Sequence, residues 1–258
     1  MKLGLCTGPE NIALAAELGF DYVEIGLSAL AAMEEADYQA LVQKKDSFAI
    51  PVLCCNGAIP GDVKTTGPDA CEEKQRAYLE KAFSRASSLG VKTVVYGSGA
   101  SRGVPEGWKF FDAWQQIIAF LKLAAEYCEK YDIRIAIEPL RRKECNIVNL
   151  VSEGLLLSAA VDHPRIGVLG DTFHMLSSAE PYQALANAGD RLYHVHISHS
   201  LPDLSGRIYP AEGDGENYAE IFDTLRAMGY EGGVSVEAGC KDVRADGEAA
   251  IRCLKKYV

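Results

Sequence analysis

Short runs rich in β-branched and apolar residues alternate along this chain with longer segments whose apolar positions recur every three to four residues. The short runs have the length and composition of buried strands, and the longer segments have the period of amphipathic helices. Strands are predicted at Leu3–Cys6, Tyr22–Ile25, Ile50–Cys55, Thr93–Tyr96, Ile133–Ile137, Ile166–Leu169, Leu192–Ile197 and Val234–Val236. A helix is predicted over Ala70–Leu89, followed by Gly90 as the left-handed stop. A second runs over Phe110–Tyr131, where Ile117, Phe120, Leu121, Ala124 and Ala125 make one apolar stripe. Further helices cover Glu216–Met228, ending at Gly229, and Val243–Tyr257.

Strands that alternate with helices imply parallel βαβ units. Eight such units in 258 residues, close to the roughly 250 usual for the architecture, predict an α/β fold of one kind: a single (β/α)8 TIM barrel. No segment reads as a linker or low-complexity tract, so residues 1–258 are expected to form one barrel domain.

Composition narrows the partners. The formal net charge of −10 argues against nucleic acid or an anionic membrane surface, both of which are met with clustered Lys and Arg. No run approaches the roughly 18 uninterrupted apolar residues of a membrane span. Met1-Lys2-Leu3-Gly4-Leu5-Cys6 leads directly into a strand, without the layout of a signal peptide. The eight cysteines lack the repeated spacings of a zinc module or a disulfide scaffold, and Cys54-Cys55 reads as a pair of buried thiols. A reducing, cytoplasmic setting is expected.

In such a barrel, chemistry sits where the strands end and the βα loops begin. Strand five ends Ile135-Ala136-Ile137-Glu138, strand six Leu169-Gly170-Asp171, strand seven contains His194-Val195-His196, and strand eight ends Val234-Ser235-Val236-Glu237. Four successive strands thus bring three carboxylates and an imidazole to one rim. Carboxylates leaving apolar strands are costly unless neutralised. A divalent cation does this, and the set Glu138, Asp171, His196 and Glu237 suits Mn2+, Co2+ or Mg2+ better than a thiol-preferring metal. A salt bridge to Arg or Lys explains any one of these residues equally well; four in succession favour the metal. His194 and His196 point to the same face; His196 lies nearer the strand end, which leaves His194 as the core histidine. His199, in the following loop, is a substrate contact or simply exposed, with exposure favoured, and His163 is expected to be exposed at the opposite rim. Glu24 and Asn56, at the ends of strands two and three, either line the pocket or pair within the rim, and Trp108 either covers a substrate or packs on the surface. Gly97-Ser98-Gly99-Ala100-Ser101 and Gly213-Asp214-Gly215 could cradle a phosphate, but neither has the Lys-Ser/Thr ending of a P-loop.

The neighbours of these residues carry a resemblance. Glu138-Pro139-Leu140-Arg141-Arg142-Lys143-Glu144 with Asn149, Asp171-Thr172-Phe173-His174-Met175, His196 with Arg207-Ile208-Tyr209-Pro210, and Glu237 resemble segments of the xylose-isomerase-like barrel superfamily. The likeness is greatest to its ketose 3-epimerase branch. It implies that Glu138 is both metal ligand and base, that Asp171 and His196 bind metal, and that Glu237 is the last ligand and second catalytic carboxylate. It also implies substrate contacts for His174, Glu144 and Arg207, although the connection Leu201–Gly206 before Arg207 is longer here than in the epimerases. Endonuclease IV shares the barrel, but its trinuclear zinc site needs histidines early in the chain, and here none precedes His163.

The resemblance therefore implies a metal-dependent sugar epimerase or isomerase working on a ketose or related keto-sugar through a metal-bound cis-enediolate. Arg141 or Arg142 would offset carboxylate charge. The same ligands could serve an inosose-type dehydratase, and a non-catalytic sugar-binding barrel is the reading from another class. A small sugar is the expected partner, and association of barrels into a homo-oligomer is common in the resembling family.

Overall fold

The predicted β-rich runs become the eight barrel strands of the computed structural model, which describes residues 1–258. They are β1 (Lys2–Cys6), β2 (Tyr22–Gly26), β3 (Val52–Asn56), β4 (Thr93–Tyr96), β5 (Arg134–Ile137), β6 (Ile166–Asp171), β7 (Leu192–Ile197) and β8 (Gly233–Val236). Each pairs in parallel with the next, and β8 pairs back onto β1, so the sheet closes and no edge is left open. β6 and β7 are buried at every position, as strands covered on both faces must be. Inside the barrel the side chains interlock by size. The Tyr22 ring fills the space where a Cβ on Gly4 would stand, and the Tyr193 ring does the same beside Gly167.

The Phe110–Tyr131 helix has the predicted bounds, buries Ile117, Phe120, Leu121 and Ala124, and stops at Asp132 in a left-handed conformation. The helix after β3 covers Glu72–Ser88, two residues later than the apolar period suggests, because Cys71 is still extended. Gly90 follows it with φ of 91°, as its stop role requires. The last two helices are Tyr218–Ala227 and Val243–Leu254.

Two connections depart from strict strand–helix alternation. Between β6 and β7, Thr172–Ser177 forms a six-residue helix. It is followed by tight 3-10 turns over Tyr182–Arg191, broken at Gly189. Between β7 and β8, His199–Ser200 pairs antiparallel with Arg207–Ile208, which makes Leu201–Gly206 the turn of a short ribbon. That ribbon folds Arg207 back over the barrel mouth.

Candidate metal centre

Closed parallel strands bring their C-terminal ends to a common rim, and register sets the neighbours there. Asp171 is paired with His196, and His196 with Ser235, so that Glu237 follows two residues along β8. Glu138 follows β5 directly. Donor atoms of Glu138, Asp171, His196 and Glu237 all lie within 4.8 Å of one another. His196 Nδ1 is the hub, 2.9 Å from Glu237 Oε2, 3.3 Å from Glu138 Oε1 and 3.7 Å from Asp171 Oδ2. Glu138, Asp171 and His196 are buried, and Glu237 is nearly so.

Charge balance inside this cluster is tight. Burial opposes ionisation of Asp171, but the Arg207, His174 and His196 charges outweigh it and hold the carboxyl well below its usual range. Burial likewise opposes ionisation of Glu237, and His196 and Arg207 reverse the sign. His196 goes the other way: burial lowers its pKa, yet Glu237 and Glu24 raise it well above that of a free imidazole. Arg207 forms ion pairs with Asp171 and, at 2.7 Å, with Glu237 Oε2. Neither His196 nor Arg207 meets Glu237 Oε2 with hydrogen-bond geometry, so this buried acceptor has no hydrogen-bond partner. Three carboxylates and an imidazole converging within 4.8 Å, with Glu237 Oε2 held by charge alone, fit a divalent cation of oxygen and nitrogen preference. The neighbouring Cys6 thiol is pushed up by burial and by Glu24, which keeps it protonated.

The predicted substrate residues gather around the same space. His174 N donates to Asp171 Oδ1 at 3.0 Å, and this capping bond sets the start of the Thr172–Ser177 helix. His174 Nε2 is 3.9 Å from Glu138 Oε1 and 4.0 Å from Glu144 Oε2. Glu144 stands further out and pairs with Arg141 at 2.6 Å, while the Arg141 guanidinium lies over the Phe173 ring. Of Arg141 and Arg142, it is Arg141 that pairs with a carboxylate, that of Glu144, while the rim carboxylates Asp171 and Glu237 are paired by Arg207. Asn149 serves structure: its Nδ2 donates to the carbonyls of Leu140 and Cys145.

The sequence left Glu24 and Asn56 between lining the pocket and pairing within the rim, and it did not single out Arg102. Glu24 is fully buried, with Oε1 2.9 Å from His196 Nε2 and Oε2 2.8 Å from His194 Nε2. Its signal was a charge inside the otherwise apolar run Tyr22-Val23-Glu24-Ile25, but nothing in the sequence named histidines as its partners. His194 is a satisfied core residue, as expected. Arg102, also fully buried, donates to the carbonyls of Tyr96, Glu138 and Val148 and so pins the backbone of Glu138. Asn56 donates to Glu237 Oε1 at 3.3 Å. Beside it, a cavity of about 350 Å³ opens from Glu237 towards Cys6, Leu30 and Met33.

His199 is not exposed as expected. Ribbon pairing with Ile208 turns it inward, with Nδ1 3.8 Å from Asp214 Oδ2. His163 is half-buried against Glu129. Trp108 packs against the core. The glycine loops are poor phosphate cradles. Ser98 Oγ accepts from Ile59 N, and the Asp214 carboxylate fills its own loop by accepting from Ala211 N and Glu216 N.

Comparison with known proteins agrees with this architecture. The family model described as "Xylose isomerase-like TIM barrel" matches residues 12–257. A probable ketose 3-epimerase of Synechocystis sp. is 28% identical over 229 residues, covering 85% of this chain and 74% of the relative. An L-ribulose 3-epimerase of Methylomonas sp. is 29% identical over 233 residues, covering 90% and 78%. The structure of a D-allulose 3-epimerase from Methylomonas sp., in complex with D-allulose, superposes with a TM-score of 0.85 at 23% identity, covering 100% of this chain and 97% of the other. That last likeness is one of fold.

Proposed function

The chain belongs to the xylose isomerase-like TIM barrel family, and from that membership and the geometry of its rim we propose that it is a divalent-metal-dependent sugar epimerase acting on a ketose. The observation that carries this reading is the convergence of Glu138, Asp171, His196 and Glu237 to within 4.8 Å at the ends of four successive strands. Relatives named as ketose and L-ribulose 3-epimerases support the isomerase class and suggest the substrate class. No helix is long and apolar enough to cross a membrane.

Glu138, Asp171, His196 and Glu237 would hold the cation, which when bound supplies a Lewis acid that polarises the sugar carbonyl and acidifies the neighbouring C–H. Glu138 and Glu237 directly follow β5 and β8, with Asp171 and His196 of the two intervening strands between them. A carbon held between these carboxylates meets one on each face. One of the two carboxylates takes its proton from one side and the other returns a proton from the opposite side, which inverts the centre; the reverse reaction exchanges the roles. General acid–base transfer of this kind requires each carboxylate oxygen to come within about 3 Å of the moving proton's heavy atom. His174 and Arg207 hold sugar oxygens, and Glu144 steadies His174. The remainder of the sugar extends into the cavity beside Asn56.

The test is metal content of the purified protein, followed by proton exchange at C3 of ketohexoses in D2O. Exchange that disappears in Glu138→Gln and Glu237→Gln supports the two-carboxylate reaction. Bound metal with no exchange on any ketose would refute the epimerase reading, and failure to take up any divalent cation would refute the metal centre.

A further inference from the structure

Directly beneath the four rim residues lies a second, wholly buried layer that the proposed reaction does not use. At its centre each oxygen of Glu24 meets a different imidazole: Oε1 is 2.9 Å from His196 Nε2, and Oε2 is 2.8 Å from His194 Nε2. His194 Nε2 is also 3.0 Å from Ser235 Oγ, which in turn lies 2.8 Å from the Tyr22 hydroxyl. On its other side, His194 Nδ1 is 3.9 Å from Cys54 Sγ. The two rings are nearly perpendicular, at 86°, with centroids 5.2 Å apart.

A carboxylate offers only acceptors, so each Nε2 that approaches it must carry the hydrogen. In a neutral imidazole the lone pair is then on Nδ1. For His194 that atom faces the Cys54 thiol, which can donate to it. For His196 it faces three further carboxylates, Glu138, Asp171 and Glu237, so without a cation Nδ1 also carries a hydrogen; that hydrogen is the one a cation replaces, while the Nε2 hydrogen stays donated to Glu24.

We infer that Glu24 is the positioning residue of the metal centre: by accepting from His196 Nε2 it fixes the ring plane and the tautomer that turn the Nδ1 lone pair towards a divalent cation. His194, anchored between Ser235 and Cys54, occupies the second carboxylate oxygen and stops Glu24 from turning away. The inference rests on the metal-centre reading above. Its physical basis is general: a histidine ligand whose other nitrogen is hydrogen-bonded is both oriented and made a stronger donor, and removing the outer partner weakens metal binding by roughly 10–100-fold. A carboxylate that served only to fill the core would affect folding, but not the cation affinity of molecules that do fold.

Two measurements test this. Mn2+ is titrated into metal-free wild-type and Glu24→Gln protein, and binding is followed by electron paramagnetic resonance of the free ion. In parallel, long-range 1H–15N spectra are recorded on wild-type protein labelled at histidine, with Zn2+ as the diamagnetic probe. The expected result is an affinity about 10–100-fold weaker in folded Glu24→Gln, and hydrogen on Nε2 of both His194 and His196. Equal Mn2+ affinity in the two proteins would overturn the inference. So would hydrogen on Nδ1 of His196 in the Zn2+ form, a readout that stands even if Glu24→Gln does not fold. Absence of Mn2+ and Zn2+ uptake by the wild type would overturn the metal-centre reading itself, and this inference with it; the wild-type titration alone separates that case from the others.

Discussion

Replacing Gly97 with alanine changes no charged or polar group, yet it should disable the site. Gly97 follows the last residue of β4 and lies against the Glu138 carboxylate. A Cβ added there would stand 2.1 Å from Glu138 Oε2 and 3.2 Å from its Cδ, whereas real Cβ atoms essentially never come closer than 3.0 Å to another heavy atom. The carboxylate oxygen must therefore retreat by roughly 1 Å. Gly97 is not among the positive-φ residues, so alanine meets no backbone penalty. The atom that yields is the far end of a flexible side chain, and Leu140 Cδ2 at 3.5 Å is in ordinary contact. Stability should fall by no more than about 1 kcal/mol, or about 2–4 °C in Tm for a chain of this size. Catalysis should respond far more: a misplacement of about 1 Å costs on the order of 100-fold in rate, equivalent to about 2.7 kcal/mol in the barrier. The assay is kcat for ketohexose epimerisation beside thermal unfolding of the same preparation. A variant with wild-type kcat would show that the Glu138 carboxylate does not act from the place it occupies. A large drop in Tm would show that backbone rather than carboxylate had yielded, and would refute the steric argument.

Glu138→Gln and Glu237→Gln should each lower C3 proton exchange by about 10²–10⁴-fold; normal exchange in either variant would remove that residue from the reaction. Metal-free protein should show a pH optimum of stability set by the cluster. The raised pKa of His196 means that its contribution is complete below about pH 6.5 and is lost as pH rises through the folded value, while the lowered pKa values of Glu24, Asp171 and Glu237 contribute above about pH 4 and are lost as pH falls. The lowered pKa of His194, held down by burial, removes stability as pH falls below about 6.5, so Tm of the metal-free form should peak at about pH 6.5; a Tm that keeps rising to pH 8 would contradict the sign. Because the cation must displace the His196 proton, Mn2+ affinity should rise with pH by up to roughly tenfold per unit below the folded pKa, which calorimetry in buffers of different ionisation heat will detect as proton release. Arg102→Lys keeps a charge but cannot reach three carbonyls with a planar fork. It should lose about 2–3 kcal/mol of stability and also slow turnover, because Glu138 loses its backbone anchor; unchanged kcat and Tm would deny Arg102 that role.

Strand identity in this protein was written locally. Runs such as Thr93–Tyr96 and Ile166–Leu169 are rich in apolar and β-branched residues because parallel barrel strands are covered on both faces, so their sequences need no partner to be read. The rim was legible for the same reason: a carboxylate at the end of an apolar run, as at Glu138 or Glu237, stands out against its own segment. Helices whose period is interrupted were less legible, and the β6–β7 connection breaks into a short helix and 3-10 turns around Pro181 and Gly189.

Partnership was decided only by closure of the barrel. Glu24 and His194 are 170 residues apart, and no spacing rule connects them; β2 and β7 face each other across the barrel interior, and that alone places one carboxylate between two imidazoles. The ribbon turned His199 inward and carried Arg207 onto Asp171 and Glu237, because antiparallel pairing with Ile208 and Ser200 fixes where each side chain must point. Hydrophobic period and strand-end chemistry are properties of neighbours along the chain, so the sequence itself determined the barrel and its rim of acids. The balance of charge within that rim is a property of neighbours in space, and only the tertiary structure could set it.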